Sequence, residues 1–179
     1  MTSEQDERVA AADTGADTGA DGAEAPAHGS ARFRIGVFAV IEAPGADGEM
    51  RYLLARRSDI GWWNLVGGGL ERGETPEEGL AREAREEIGA EIEVVRLVGV
   101  YAKPQKNEVV LTYLCRLAPD SPEPGTSEEV SEVGVFRVAE LPADTLPKHR
   151  QRVLDAASGQ MEAFRRTQAT SSAEDQRRT

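Results

Sequence analysis

Residues Gly68–Ala90 read GGLERGETPEEGLAREAREEIGA, a glycine turn running straight into a segment dense in glutamate. Thr75, Pro76 and Glu78 stand where an N-cap, a first-position proline and the third residue of a capping box belong. Gly89 follows Ile88 where a left-handed cap ends a helix. The spacing predicts a helix over Pro76–Ile88. At about 100° per residue, Leu80, Ala81, Ala84 and Ile88 share one apolar arc, Glu83, Glu86 and Glu87 fall on the adjacent arc, and Arg82 and Arg85 are directed elsewhere.

Two readings of the acidic stripe follow. On a solvated face, Glu78, Arg82 and Glu86 stand at i, i+4 and i+8 and can pair. Glu83 and Glu87 have no Lys or Arg three or four positions away, and like charges at that spacing cost a few tenths of a kcal/mol. A divalent cation removes the cost. Oxygen-only donors suit Mg²⁺ or Mn²⁺ rather than zinc, and Mg²⁺ is commonly shared between a few carboxylates and substrate phosphates.

The stretch resembles the signature of the Nudix hydrolases, Gx5Ex7REUxEExGU with U aliphatic. Gly68, Glu74, Arg82, Glu83, Glu86, Glu87 and Gly89 fill its fixed positions. Ala84 and Ala90 occupy the aliphatic positions, and Val66 precedes the glycines where many members have proline. The resemblance implies an α/β fold, an α/β/α sandwich around a mixed sheet. It also implies hydrolysis of a nucleoside diphosphate linked to another moiety, with Mg²⁺ as cofactor and Mn²⁺ as substitute. By carry-over, Glu83 and Glu87 bind metal with Glu86 in support, and the carbonyl of Gly67 is a further ligand. Arg82 holds the catalytic carboxylates by ion pairing, while Glu74 orients that arginine or the loop. The family places its general base on the signature helix or on a later loop glutamate; Glu129 is the first choice here, with Glu128 next. Pro104 lies 15 positions past Gly89, as a proline does in related ADP-ribose pyrophosphatases, which favours ADP-ribose or a similar substrate. Other members of the fold have lost catalysis and sense nucleotides, so a binding module is the alternative. Dimers are common among such proteins, so a homodimer is one candidate assembly, and the sequence leaves the oligomeric state open.

Length and composition agree with one domain. The chain has 179 residues, 39% hydrophobic and 30% charged, with a formal net charge of −11. Seven acids (Glu4, Asp6, Glu7, Asp13, Asp17, Asp21, Glu24) against Arg8 concentrate −6 of that charge in residues 1–30. This Ala-, Gly- and Asp-rich arm has too little apolar surface to offset ordering and is expected to be disordered. The domain is expected over 31–159, with a flexible tail over 160–179. No basic patch with interleaved aromatics speaks for nucleic acid. No apolar run approaches the ~18 residues of a membrane span, and no secretory signal opens the chain, so a soluble cytoplasmic protein with a small-molecule nucleotide substrate is expected. Cys115, the single cysteine, excludes an internal disulfide or a cysteine-cluster metal site.

Around the helix, strands are expected over Phe33–Ile41, Met50–Ala55, Ile92–Ala102, Asn107–Leu117 and Val133–Val138, and a closing helix over Pro147–Ala157. The three glycines at 67–69 are not a P-loop, since no Lys-Ser or Lys-Thr follows, and read instead as a turn that lets the helix N-terminus approach substrate. Trp62 and Trp63 read as packing rather than base stacking. Arg56, Arg57, Lys103 and Lys106 are candidates for phosphate contacts at a pocket rim, against an ordinary role as surface charges. A nucleophile pair of Cys115 and His149 is a weak alternative, because Cys115 sits in the apolar run Val109–Leu117.

Overall fold

The computed structural model describes residues 32–168. The acidic arm falls outside that span. Strands β1 (Arg34–Pro44), β2 (Met50–Arg57) and β3 (Trp63–Asn64) lead to helix α1 (Pro76–Ile88). Strands β4 (Ile92–Lys103), β5 (Glu108–Leu117) and β6 (Val130–Phe136) follow, then α2 (Pro147–Ala157) and β7 (Phe164–Thr167). Both helices have the limits their sequence signals predict. α1 starts on the reciprocal Thr75–Glu78 capping box and ends on Gly89 at φ 66°.

The seven strands form one mixed sheet in the order β3-β2-β1-β5-β4-β7, with β6 alongside β2. β1 runs parallel to β5 and β4 parallel to β7; the remaining pairs are antiparallel. Period-two alternation divides β1 between two cores. Val37, Ala39 and Ile41 face α1 and pack with Leu80, Ala84 and Ile88. Phe38 and Val40 face the other way, toward Val153 and Ala156 of α2. The arrangement is the expected α/β/α sandwich.

Most strand ends shift by one to three residues from the sequence expectation, and three differences have a tertiary reason. β6 begins at Val130 rather than Val133, because Val130 pairs with Arg57 across a bulge in β2 and its side chain is buried. The 103–106 loop contains a 3₁₀ turn over Pro104–Lys106. The tail expected from residue 160 contains β7, which adds in parallel to β4 from Gly99↔Phe164 to Ala102↔Thr167. Its sequence, FRRT, has no apolar alternation to announce it; an ion pair from Arg166 to Asp155 at 2.6 Å helps to fasten it.

Candidate active site

The glycine turn is docked on the sheet. Val37 donates its N–H to Gly68 O at 2.8 Å, Ala39 to Val66 O at 2.9 Å, and Leu70 to Ile35 O at 2.9 Å. Residues 66–70 thus lie as an added antiparallel segment beside the first half of β1. Gly67 has φ +134°, and a Cβ there would lie 2.1 Å from Val37 O. Only glycine fits that approach. At Gly68 a Cβ would lie 2.5 Å from Glu83 Oε1, so the bare backbone is what allows the Glu83 carboxylate to lie against the turn.

Arg82 gathers the surrounding acids. Its Nε donates to Glu74 Oε1 at 2.7 Å and its Nη2 to Glu74 Oε2 at 3.1 Å. Nη1 reaches Glu83 Oε1 at 3.0 Å and Glu86 Oε2 at 2.9 Å, and Nη2 also meets Gly69 O at 3.0 Å. A planar guanidinium can serve all of these at once. Helical spacing directed Arg82 away from the stripe and offered it Glu78 and Glu86 as partners; the Glu86 pair forms and the Glu78 pair does not. Arg82 curls back over the glycine turn, Glu78 is engaged by the Thr75 cap, and Glu83 has its cation in the adjacent residue. Glu74 binds Arg82 and the N–H of Glu71 at 2.8 Å, which matches its expected orienting role and holds its carboxyl below the usual range.

Glu87 is buried, and its Oε2 accepts the Gly67 N–H at 3.0 Å. Burial pushes its carboxyl up to about 8; the Gly67 bond opposes this, while the charges of Glu83 and Glu129 add to it and Arg57 lowers it. Glu83 is raised for the same first reason, desolvation, against the pull of Arg82. Glu83 has Arg82 as its counter-charge, whereas Glu87 is bonded to a neutral N–H and feels Arg57 only through its field.

The turn and the C-terminal half of α1 form one wall of a cleft of about 1180 Å³. Glu83, Glu86, Glu87, Arg57, Glu128 and Glu129 line this end of it. Glu129 is brought in by a chain of backbone bonds: Gly125 N–H caps Ile88 O at 2.9 Å, and Ser58 N–H meets Glu129 O at 2.8 Å. Its charge acts on both Glu83 and Glu87. The sequence reading gave the N-terminus of α1 to the substrate, but Thr75 and Pro76 do not line the cleft. The loop after the glycines carries the chain away before the helix starts, and the capping box uses the first free amides internally.

Among the described residues, no three His, Cys, Asp or Glu side chains are drawn together as a ready metal site. The contacts above give the reason. Arg82 holds one oxygen each of Glu83 and Glu86, while Gly67 N–H holds one of Glu87, so the stripe is spread along its partners. The remaining oxygens form an oxygen-only set facing the cleft, which fits a hard dication that also takes substrate oxygens.

The weaker candidates divide. Arg57, Lys103 and Lys106 line the cleft, whereas Arg56 pairs with Glu132 at 3.3 Å and Asp144 at 3.6 Å. Trp63 is buried edge-on to Phe136 at 5.0 Å, as packing requires. Cys115 lies in the core under α1, its thiol pushed up to about 12 by burial, while His149 packs on Phe38 on the opposite face of the sheet. No nucleophile pair exists there. Asn64 and His149 also line the cleft, and Asn64 Oδ1 is buried with no partner among the described residues. The sequence reading missed Asn64, whose only signal was a polar residue between Trp63 and Leu65.

Comparison with known proteins bears on the family. The NUDIX domain model matches residues 32–157. A MutT-like protein of Streptomyces ambofaciens is 39% identical over 109 residues, covering 61% of this chain and 70% of that protein. An RNA pyrophosphohydrolase of Nitratiruptor sp. is 36% identical over 66 residues, which span 36% of this chain and 43% of that enzyme's length. A Nudix hydrolase from Nitrosomonas europaea superposes with a TM-score of 0.66 at 24% identity over 78% of this chain and 81% of that one, a likeness of fold. Nudix hydrolases generally use divalent metal ions such as Mg²⁺. No helix among the described residues is long and apolar enough to cross a membrane. The signature, the sandwich and the matched domain together place this chain in the Nudix hydrolase family.

Proposed function

We propose that the protein is a Mg²⁺-dependent pyrophosphohydrolase that cleaves a phosphoanhydride in a nucleoside diphosphate linked to another moiety. The observation that carries this reading is the pair of partly or fully desolvated carboxylates Glu83 and Glu87, both raised above the usual range and held beside the glycine turn by Arg82 and Gly67. Glu83 and Glu87, with Glu86 and the Gly67 carbonyl, would hold the metal, which when bound neutralises phosphate oxygens and makes water a better nucleophile. Arg82 fixes the carboxylates so that they need not reorganise as charge develops. Glu129, exposed on its loop, accepts the proton of the attacking water as oxygen bonds to phosphorus and the bridging P–O bond breaks. Arg57, which lines the cleft, is held by Asp59 at 2.6 Å and acts by its charge on Glu87, would meet the phosphate that leaves. Within the substrate class ADP-ribose comes first, because Pro104 lies 15 positions past Gly89, the spacing that related ADP-ribose pyrophosphatases have.

The test is product release from a nucleotide panel with Mg²⁺ and with chelator. Turnover that is metal-dependent and abolished in Glu83→Gln and Glu87→Gln supports the reading. Full turnover in either variant, with the fold intact, overturns it.

A further inference from the structure

The cleft has a second pole, of opposite charge, on the α2 face of the sheet. His149 is 4% exposed, and its Nδ1 accepts the Leu65 N–H at 3.0 Å, which leaves the ring proton on Nε2. Nδ1 is the ring nitrogen bonded to the protein, and His149 lines the cleft, so Nε2–H is the ring's donor toward it. The ring is held edge-on to Phe38 at 4.9 Å. Burial, then the charges of Arg152, Lys103, Arg57 and Lys148, hold its pKa well below the usual value; the imidazole is a neutral donor rather than a titrating base.

Lys103 is 8% exposed, and its Nζ spends one hydrogen on Glu108 at 3.1 Å. Behind His149 lies Arg152, 0% exposed, with its guanidinium 5.0 Å from the Phe38 ring and 5.1 Å from the Tyr101 ring. Its Nη2 bonds the neutral Gln168 Oε1 at 2.9 Å; Nε and Nη1 have no partner among the described residues. Asp155, on the same helix, is taken by Arg166 and by the Tyr101 hydroxyl. Glu108, which also lines the cleft, is bonded to Lys103 and reaches Arg152 only through its field, so one carboxylate faces two cations. A buried guanidinium with no carboxylate bonded to it is costly, and the two ring faces offset only part of that cost. A neutral acceptor at His149 would leave the excess positive charge of Lys103 and Arg152 over Glu108 in place. An anion would not.

We infer that His149 and Lys103 form an anion subsite at the α2 end of the cleft, backed by the field of Arg152, that takes a phosphate group. The substrate then carries a phosphate remote from the scissile anhydride; this last step alone rests on the pyrophosphohydrolase reading. The alternative source of the same chemistry is free phosphate.

The experiment is titration with inorganic phosphate in the presence of chelator, read by calorimetry and by the ¹⁵N-edited signal of the His149 Nε2–H. Saturable binding that moves this signal is expected, with at least a tenfold weakening in Lys103→Met and in His149→Gln, and recovery in Lys103→Arg. Glu87→Gln should still bind phosphate even if it hydrolyses nothing, so the subsite stands or falls separately from the proposed reaction. Near-UV circular dichroism checks the fold of each variant. Kinetics on ADP-ribose and its 2′-phosphate then distinguish the source. A tenfold preference for the phosphorylated member that falls to about one in Lys103→Met supports a substrate phosphate. Equal rates with competitive inhibition by inorganic phosphate support the free anion. No phosphate binding by the wild type, or binding unchanged in both Lys103→Met and His149→Gln, overturns the inference.

Discussion

Replacing Glu87 by glutamine should stabilise the metal-free protein at alkaline pH while abolishing its response to metal. Glutamine keeps the shape and can still accept the Gly67 N–H through Oε1. The wild-type carboxyl, held at about 8 against an ordinary 4.5, binds a proton in the folded state over a range where the unfolded chain has released it. A raised folded pKa contributes stability that is complete below the unfolded value and lost as pH rises through the folded one. Between about pH 5 and pH 9 this amounts to a loss of about 4 kcal/mol, taken as an upper bound because relaxation and water entry reduce it. The variant lacks this loss. Urea unfolding in chelator, followed by tryptophan fluorescence, should show the stability difference between Glu87→Gln and wild type growing by about 2–4 kcal/mol from the lower to the higher pH. Added Mg²⁺ should raise the stability of the wild type near pH 8 and leave the variant unmoved. Parallel pH profiles for the two proteins would refute the claim that burial holds this carboxyl protonated.

Three further outcomes follow from the same geometry. Gly67→Ala, forced to φ +134° with its Cβ 2.1 Å from Val37 O, should lose about 3 kcal/mol or more in denaturant unfolding, or fail to fold. Arg82→Lys keeps the charge but cannot serve Glu74, Glu83, Glu86 and Gly69 together; kcat should fall about a hundredfold while far-UV circular dichroism is unchanged. Glu129→Gln should lower kcat about a hundredfold, with Glu128→Gln near wild type, because the charge of Glu129 but not Glu128 acts on Glu83 and Glu87; equal losses in the two variants would remove Glu129 as the base.

The chain encodes α1 almost completely in local terms. Thr75, Pro76, Glu78 and Gly89 mark its ends within a stretch of fifteen residues, and Leu80, Ala84 and Ile88 announce its buried face. α2 was equally legible in its limits, though its chemistry was not. Lys148, His149, Arg152 and Asp155 are polar, yet all four are buried. Periodicity reports which residues share a face, not whether that face is covered. β7 was missed because FRRT has two arginines in four residues and gains its place only through β4 and Asp155.

By itself, the sequence determined the acidic helix, the glycine turn before it and the oxygen-only donor set, since each depends on residues a few positions apart whose relation is fixed by backbone geometry. The tertiary structure decided where those groups point and what charge surrounds them: that Gly67 would hold Glu87 from 20 residues away, and Leu65 would hold His149 from 84. Contacts at such separations depend on how the two faces of the sheet are packed. Their electrostatics depend on burial, which strengthens every charge that the fold removes from water.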